Sequence, residues 1–347
     1  MIDLEIIYSF NCLISFQQQD HYQHQAKLQF TSTKINLLLN SQCYEIDISY
    51  QLALKWKCQE NKLLSMHFQQ FTIYAENEDL LILKKHLDCK VTYVGIREIY
   101  DNVILIQQTG NAKTCTLKSK IDDKNYICKC YKKQEFEKCR IYEQLMILRK
   151  LNEFKNVARI IDFFESSNSY YIIFEQMNRI HYHNLSHEDI QSMMFVYQIK
   201  QQDILCCVKV LISNKIYHSQ INLCNILMDK DMNCKLIGFE NAELLNEEND
   251  VLNSLMLTMA GNVMIKLYQY NSSNKDLICI PDYGNSLVQG LLQSKQDQQI
   301  NIEQALSHEY FDYFDNNSSP MMQQQIIPKL KSFITQQSLQ SPIDSNI

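Results

Sequence analysis

Six short apolar runs follow one another early in the chain, with a polar break about every ten residues. They occupy residues 12–16, 26–30, 35–39, 45–48, 52–56 and 70–74. Several alternate apolar and polar side chains, which is the period of a strand with one buried face. The pattern predicts an antiparallel meander or a small barrel. Asn77, Glu78 and Asp79 then offer helix caps ahead of leucines at helical spacing, so we expect a helix to close this module.

Two motifs lie further along, within residues 218–240. The first begins at His218 and holds Gln220 and Asn225, and the second is Gly238-Phe239. In order and spacing they resemble the catalytic loop and the metal-binding turn of protein kinases, His-Arg-Asp-Leu-x-x-x-Asn and Asp-Phe-Gly. In that family the first Asp is the catalytic base, the Asn binds one Mg²⁺, and the second Asp bridges Mg²⁺ to the ATP phosphates.

The resemblance places neutral residues at both catalytic carboxylate positions. Gln220 stands at the base position and Gly238 at the metal position. It therefore implies a kinase scaffold without catalytic residues, a pseudokinase, in which Asn225 is a weak candidate metal ligand. The resemblance covers about residues 96–311 in the family's order.

Five positions are candidates for contact with a nucleotide. Lys129 matches the phosphate-pairing Lys of the third kinase strand, and the resemblance implies that Glu143 on the next helix pairs with it. Glu175 and Met177 fall at the hinge between the lobes, and Asn225 falls in the catalytic loop. The Lys129–Glu143 pair is consistent with nucleotide binding or with a purely structural tie between helix and sheet.

Other positions speak against a nucleotide. Gln107, Thr109 and Ala112 occupy the three Gly positions of the family's phosphate loop, and Gly110 is one step out of place. An ordinary hairpin is therefore expected there, because amides cannot approach phosphates closely past side chains. Ile127 replaces the small Ala that roofs the adenine in the family.

The large lobe is expected to be shortened. Only residues 241–249 separate the metal-binding turn from a helix predicted to begin at Asp250, so the peptide-substrate platform of the family is missing. A buried Arg of the family is replaced by Gln299, together with its usual carboxylate partner. The apolar stack that links the lobes of kinases is retained, at Ile147, Ile160, His218 and Phe239.

Composition narrows the classes of partner and compartment. The chain has 33 basic and 39 acidic side chains and a net charge of −6, which gives no electrostatic attraction for nucleic acid or anionic lipid. Its 13 cysteines lack metal or redox spacing and are expected to be reduced thiols. The start of the chain lacks a basic signal region, and the apolar run 255–265 is too short to span a bilayer, so a cytoplasmic protein is expected.

These observations predict an α+β protein with a bilobal, protein-kinase-like fold behind a small antiparallel β module with a C-terminal helix. The module, residues 1–92, resembles a pleckstrin-homology-type domain by architecture alone. The kinase-like domain is placed at 96–312, with its small lobe at 96–177 and a truncated large lobe at 178–312. Residues 313–347, rich in Ser and Gln, are expected to be largely disordered.

The function predicted from sequence is that of an inactive scaffold or allosteric partner in signalling. The partners expected are proteins, such as an active kinase or its substrate. Nucleic acid is not expected because of the net charge, and membrane binding is not expected because residues 16–24 lack the clustered Lys and Arg of a phosphoinositide site. No cofactor is required; ATP would bind weakly, and Mg²⁺ is not expected. Two alternatives remain: an atypical active Ser/Thr kinase using Lys129 and Asn225, with Glu240 as a shifted metal ligand, and a module that recruits the chain to a partner or membrane.

Overall fold

The computed structural model describes residues 5–16, 22–109, 112–177, 201–229, 233–272 and 282–312. They fall into two compact units. The first unit contains the residues up to Leu145 together with Ile160–Glu175, and the second contains Met146–Arg159 and the residues from Gln176 onward. Within the described ranges, no helix is both long enough and apolar enough to cross a membrane.

The first unit begins with seven antiparallel strands and a helix. The elements are β1 (Tyr8–Phe16), β2 (His24–Phe30), β3 (Lys34–Leu39), β4 (Gln42–Asp47), β5 (Ala53–Gln59), β6 (Lys62–Phe68), β7 (Phe71–Tyr74) and α1 (Asn77–Leu87). Their order across the sheet is β4-β3-β2-β1-β7-β6-β5. Sequence reasoning missed β6, because its adjacent Leu63 and Leu64 break the alternation; Leu63 is buried and Leu64 is exposed.

Helix α1 packs on the sheet through Leu80, Leu83 and Leu87, which are fully buried. Its predicted cap is wrong in one respect. The residue at the N-cap is Glu76, and the side chain of Asn77 accepts a hydrogen bond from the backbone N–H of Leu63 in β6 instead. Asn77 therefore ties the start of the helix to the sheet rather than to the helix's own first turn.

The strands of the kinase-like part continue the same sheet. They are β8 (Thr92–Tyr93), β9 (Tyr100–Thr109), β10 (Ala112–Ser119), β11 (Asn125–Lys132), β12 (Ile160–Glu165) and β13 (Ser169–Phe174), with α2 (Ile96–Ile99) before β9 and α3 (Lys138–Leu151) after β11. Strand β8 is parallel to both β5 and β12, so it joins the two groups into one thirteen-stranded sheet ending at β9. One apolar core runs across this junction, where Leu54 and Trp56 share a cluster with Leu117, Phe164 and Ile173.

A buried polar network crosses the same junction. The ammonium of Lys84, on α1, lies 2.9 Å from a carboxylate oxygen of Asp162, whose side chain is fully buried on β12. Lys84 also donates to Asp88, Tyr100 donates to Asp162 at 2.6 Å, and Tyr93 donates to Asp88 at 2.9 Å. Burial opposes the charge of Lys84, but Asp162 and Asp88 outweigh it and raise its pKa.

The second unit is mainly helical. Its elements are α4 (Gln201–Ser213), β14 (Ile216–His218), β15 (Ile226–Met228), β16 (Cys234–Leu236), β17 (Ala242–Leu244), α5 (Asp250–Ser272), α6 (Asp282–Leu291) and α7 (Ile302–Leu306). The predicted start of the long helix at Asp250 is confirmed. An apolar stripe over residues 185–214 predicts a helix there. The structure describes that helix from Gln201, and residues 185–200 lie outside the described residues, as does the tail 313–347.

The cysteines that the structure describes are all free thiols. Several are buried, and burial raises the pKa of Cys12 to about 11 and that of Cys207 to about 12. These thiols are protonated at neutral pH and behave as small apolar side chains.

Candidate functional site

The segment that would cover phosphates in a kinase is a tight hairpin. Thr109 at the end of β9 pairs with Ala112 at the start of β10, and Gln107 pairs with Thr114. The hairpin expected from the sequence is therefore present in the paired strands. Gly110, which was expected to sit out of place in this loop, lies outside the described residues.

The predicted ion pair between Lys129 and Glu143 is wrong. Among the described residues, the carboxylate of Glu143 has its ion pair with Arg140, 3.8 Å away, and nearly half of its side chain is exposed. The next residue, Gln144, is buried and its amide lies 3.5 Å from the hydroxyl of Tyr131 on β11. The face of α3 that meets the sheet therefore carries an amide where the kinase resemblance implies a carboxylate.

The signal for Gln144 was present in the sequence. Ile141, Gln144, Leu145 and Leu148 follow the three- and four-residue spacing of one helix face, and all four are buried. The kinase resemblance implies a carboxylate on the face opposite the solvent-facing Arg149 and Lys150 and therefore points to Glu143, but the buried periodicity places Glu143 beside the buried face rather than on it.

The other nucleotide-binding candidates fall in different units. Lys129 is half-buried in β11 of the first unit, where it pairs in register with Thr114 and Ile172. Glu175 follows β13 at the end of the same unit, and Met177 is buried in the second unit. Ile127 lies opposite Phe174 in the β11–β13 ladder.

The catalytic-loop segment of the second unit is fixed by a buried histidine. His218 is 1% exposed; its Nδ1 accepts from the backbone N–H of Gln220 at 3.2 Å, and its Nε2 lies 3.1 Å from the carbonyl of Ile237. These contacts assign the proton to Nε2. The ring of Phe239 meets His218 edge-on, with centroids 4.8 Å apart. His218 and Phe239 are therefore packed against each other within the second unit.

The loop that follows is held by side-chain amides. Asn225 donates from Nδ2 to the carbonyl of Gln220 at 2.9 Å, and Asn222 donates to the same oxygen at 3.3 Å. The backbone carbonyl of Asn225 accepts from Ile237 at 2.8 Å, which fixes the loop against the metal-binding turn. The side chain of Gln220 is exposed at the base position.

Gly238 turns the chain in a way that other residues rarely allow. Its φ is +87°, in the left-handed region. A Cβ built on Gly238 would lie 2.7 Å from Cγ of Asn225 and 2.8 Å from its amide nitrogen and oxygen. The Asn225 amide therefore fills the space into which a side chain at position 238 would project.

Glu240 lies in the short 3-10 helix Phe239–Asn241 directly after this turn and is half-buried. Strand β17 begins at Ala242 and pairs with β14, and α5 begins at Asp250. Among the described side chains, no group of three or more His, Cys, Asp or Glu is arranged to hold a metal ion.

Gln299, which the sequence places where the kinase resemblance implies a buried Arg, is a neutral hydrogen-bond donor. The amide nitrogen of Gln299 lies 2.6 Å from the carbonyl of Leu291, 3.1 Å from the hydroxyl of Thr258 and 3.2 Å from the carbonyl of Ser254. Gln299 thereby joins α5 to the end of α6 without requiring a carboxylate partner.

A β sheet that carries helix α3, and a second unit in which His218, Asn225 and Phe239 order a loop and a turn, are compatible with an α+β, kinase-like fold. Residues 106–263 of the chain match the family model of the protein kinase domain. The chain is similar to Calcium-dependent protein kinase 6 of Plasmodium berghei (strain Anka), with 26% identity over 229 residues. That match covers 63% of this chain but 13% of the other protein's length.

Proposed function

We propose that this chain is a pseudokinase, a kinase-fold protein that binds a partner and does not transfer phosphate. The observation that carries the proposal is the relation between Asn225 and Gly238. The metal position has no side chain, its backbone is left-handed, and Asn225 fills the adjacent space. Replacing a single residue would therefore not restore a metal-binding carboxylate there.

The remaining polar groups of this site do not fit a divalent ion. Mg²⁺ prefers carboxylate and phosphate oxygens in octahedral geometry. Asn225 offers a single neutral amide oxygen, with its amide nitrogen donating to the carbonyl of Gln220, and Gly238 offers no side chain. No cofactor is required by this proposal, Mg²⁺ is not expected to bind, and any ATP affinity would be weak.

Two further neutral residues support the loss of catalysis. Gln220 cannot accept a proton from an alcohol at neutral pH, because an amide is not a base. Gln144 is a buried residue of α3 whose amide lies 3.5 Å from the hydroxyl of Tyr131 on β11. We infer that this amide takes the place of the carboxylate that fixes the phosphate-pairing Lys in active kinases. Three charge-bearing roles of the family are thus filled by neutral groups.

In the second unit, the short segment 242–249 is accompanied by exposed apolar side chains on β17 and α5, and these support a binding role. Val251 and Leu255, one turn apart at the start of α5, are 61% and 45% exposed, and Leu244 on β17 is 44% exposed. Exposed apolar side chains in neighbouring elements are typical of protein-interaction surfaces. The partner we propose is a protein, such as an active kinase or its substrate, in the cytoplasm.

We also propose that the N-terminal seven strands and α1 form a pleckstrin-homology-type module, and the strand order β4-β3-β2-β1-β7-β6-β5 followed by a closing helix supports this. The β3–β4 and β6–β7 turns carry Asn40, Ser41, Gln69 and Gln70, all uncharged. A phosphoinositide site needs clustered Lys and Arg. We therefore propose a protein-binding or packing role for this module, with neither membrane nor nucleic acid as its partner.

The deciding experiment is a thermal-shift titration of the full chain with ATP, with and without Mg²⁺. The proposal expects no Mg²⁺-dependent stabilisation. It also expects no labelled phosphate on generic protein substrates, with Lys129→Ala as the matched control. Label that appears with the wild-type chain and disappears with Lys129→Ala would overturn the proposal and support an active kinase that uses Lys129, Asn225 and the half-buried Glu240.

A further inference from the structure

Strand β9 leaves an apolar edge on the first unit. It is the last strand of the described thirteen-stranded sheet, and Val103, Ile104 and Leu105 on it are 63%, 48% and 51% exposed. Neighbouring side chains on a strand point to opposite faces. Both faces of the sheet are therefore apolar at this edge, which is the feature that makes an edge strand pair with another chain.

The opposite edge of the sheet is built differently. Strand β4 carries the exposed acidic residues Glu45 and Asp47, and Lys34 on β3 pairs with Glu45. Charges on an edge strand discourage pairing with further strands. By contrast, β9 has no charged residue after Asp101, and it contains neither Pro nor Gly.

We propose that β9 pairs antiparallel with β9 of a second copy of this chain, about a two-fold axis at Ile104. In that register Ile104 faces its own counterpart, Val103 faces the counterpart of Leu105, and Asp101 faces the counterpart of Gln107. No like charges meet, so the strand is complementary to itself. A two-fold interface uses the same surface in both copies and stops at a dimer, and the outer edges of that dimer are the charged β4 strands.

The dimer should be weak. The pairing of β9 with β10 is irregular between Thr114 and Cys115 and again between Thr116 and Lys118, so the regular part of the edge is short. Stable protein interfaces bury roughly 1,200 Å² or more, which a few strand residues from each copy do not supply. We expect a reversible dimer with a dissociation constant in the micromolar range or weaker.

The test is sedimentation velocity of the full chain over a concentration range of about 1 to 500 µM, which brackets such an affinity. The wild type should shift from monomer to dimer as concentration rises. Ile104→Lys should stay monomeric, because two ammonium groups would face each other across the axis. Leu64→Lys is the matched control: Leu64 is an exposed leucine on β6, which lies inside the sheet, and this variant should dimerise as the wild type does.

Two readouts decide the outcome. Amide hydrogen exchange in β9 should slow with increasing concentration in the wild type and not in Ile104→Lys. The fluorescence of Trp56, the single tryptophan of the chain and buried in the first unit, checks that both variants fold. A wild type that remains monomeric throughout, or a dimer that persists in a folded Ile104→Lys variant, would overturn the proposal.

Discussion

The side chain of Asn225 lies where a side chain at Gly238 would have to go: a Cβ on Gly238 would sit 2.7 Å from Cγ of Asn225. In the kinase family both positions contribute metal ligands. Here Gly238 has no side chain, and the amide nitrogen of Asn225 donates to the carbonyl of Gln220. The Asn225 side chain and the bare backbone of Gly238 form one packed arrangement, so a side chain added at position 238 would have to displace Asn225.

Gly238→Ala should destabilise the second unit by about 1–3 kcal/mol, from a left-handed backbone and the contact with Asn225. Adding Asn225→Ala removes the contact but not the backbone strain, so the double variant should cost less than the sum of the single variants. Urea unfolding followed by the circular dichroism of the helices measures the unfolding free energies of the single and double variants. Additive costs would show that the two side chains do not compete for space.

Gly238→Asp, the restoration of the family residue, should not create Mg²⁺-dependent nucleotide binding. The new carboxylate would meet the Asn225 amide before reaching a metal. A thermal-shift titration with Mg²⁺ and ATP checks this, with Gly238→Asn as the uncharged control of the same size. Stabilisation by magnesium nucleotide in the Asp variant alone would contradict the expectation.

Lys84→Met should destabilise the first unit by about 3–5 kcal/mol, because it removes the cation beside the fully buried carboxylate of Asp162. Adding Asp162→Asn should recover part of this loss. Lys34→Met is the control, since the Lys34–Glu45 pair is exposed and such pairs contribute about 1 kcal/mol or less. Unfolding followed by the fluorescence of Trp56 reports this unit alone. Equal effects at both lysines would rule out the special role of the buried pair.

The stability of the first unit should fall as pH rises above about 4, through the carboxyl of Asp88. Burial raises the pKa of Asp88, with Lys84 opposing the rise and the charge of Asp162 adding to it. The folded chain therefore holds a proton that the unfolded chain has released, and this stabilisation is lost as Asp88 ionises. In Asp88→Asn the loss should be absent, so its stability relative to wild type should rise with pH by at most about 1.4 kcal/mol per unit. If the unfolding free energies of the wild type and Asp88→Asn change with pH in parallel, as measured by urea unfolding, Asp88 does not cause the pH dependence.

Gln299→Ala should cost the second unit about 1–3 kcal/mol, because it leaves acceptors on α5 and at the end of α6 without their donor. Gln299→Arg, the family residue, should be no better than Ala, since a guanidinium there would lack a carboxylate partner. Gln298→Ala, at an exposed neighbouring position, is the control. A stabilising Arg variant would show that a carboxylate reaches this position.

Much of the fold was predictable because local periodicity follows from local burial. The runs along β1–β5 and β7, the leucines of α1 and the start of α5 all show it. The hairpin at Thr109 and Ala112 was also predictable. The partner of Glu143 was not predictable: the kinase resemblance suggested Lys129, whereas Glu143 pairs with Arg140 and the neighbouring Gln144 is buried instead.

The sequence by itself determined that Gln220 and Gly238 stand where its resemblance to protein kinases implies the two catalytic carboxylates, because residue identity and spacing need no coordinates. Only the tertiary structure decided which residues surround these two positions and how the N-terminal strands join the kinase-like strands. Lys84 meets Asp162 across 78 positions of chain, and the short strand β8 merges the N-terminal strands with the kinase strands into one sheet. Such contacts depend on which elements pack together. The free energy of this packing comes from residues that are far apart in the sequence, so a local sequence pattern does not predict it.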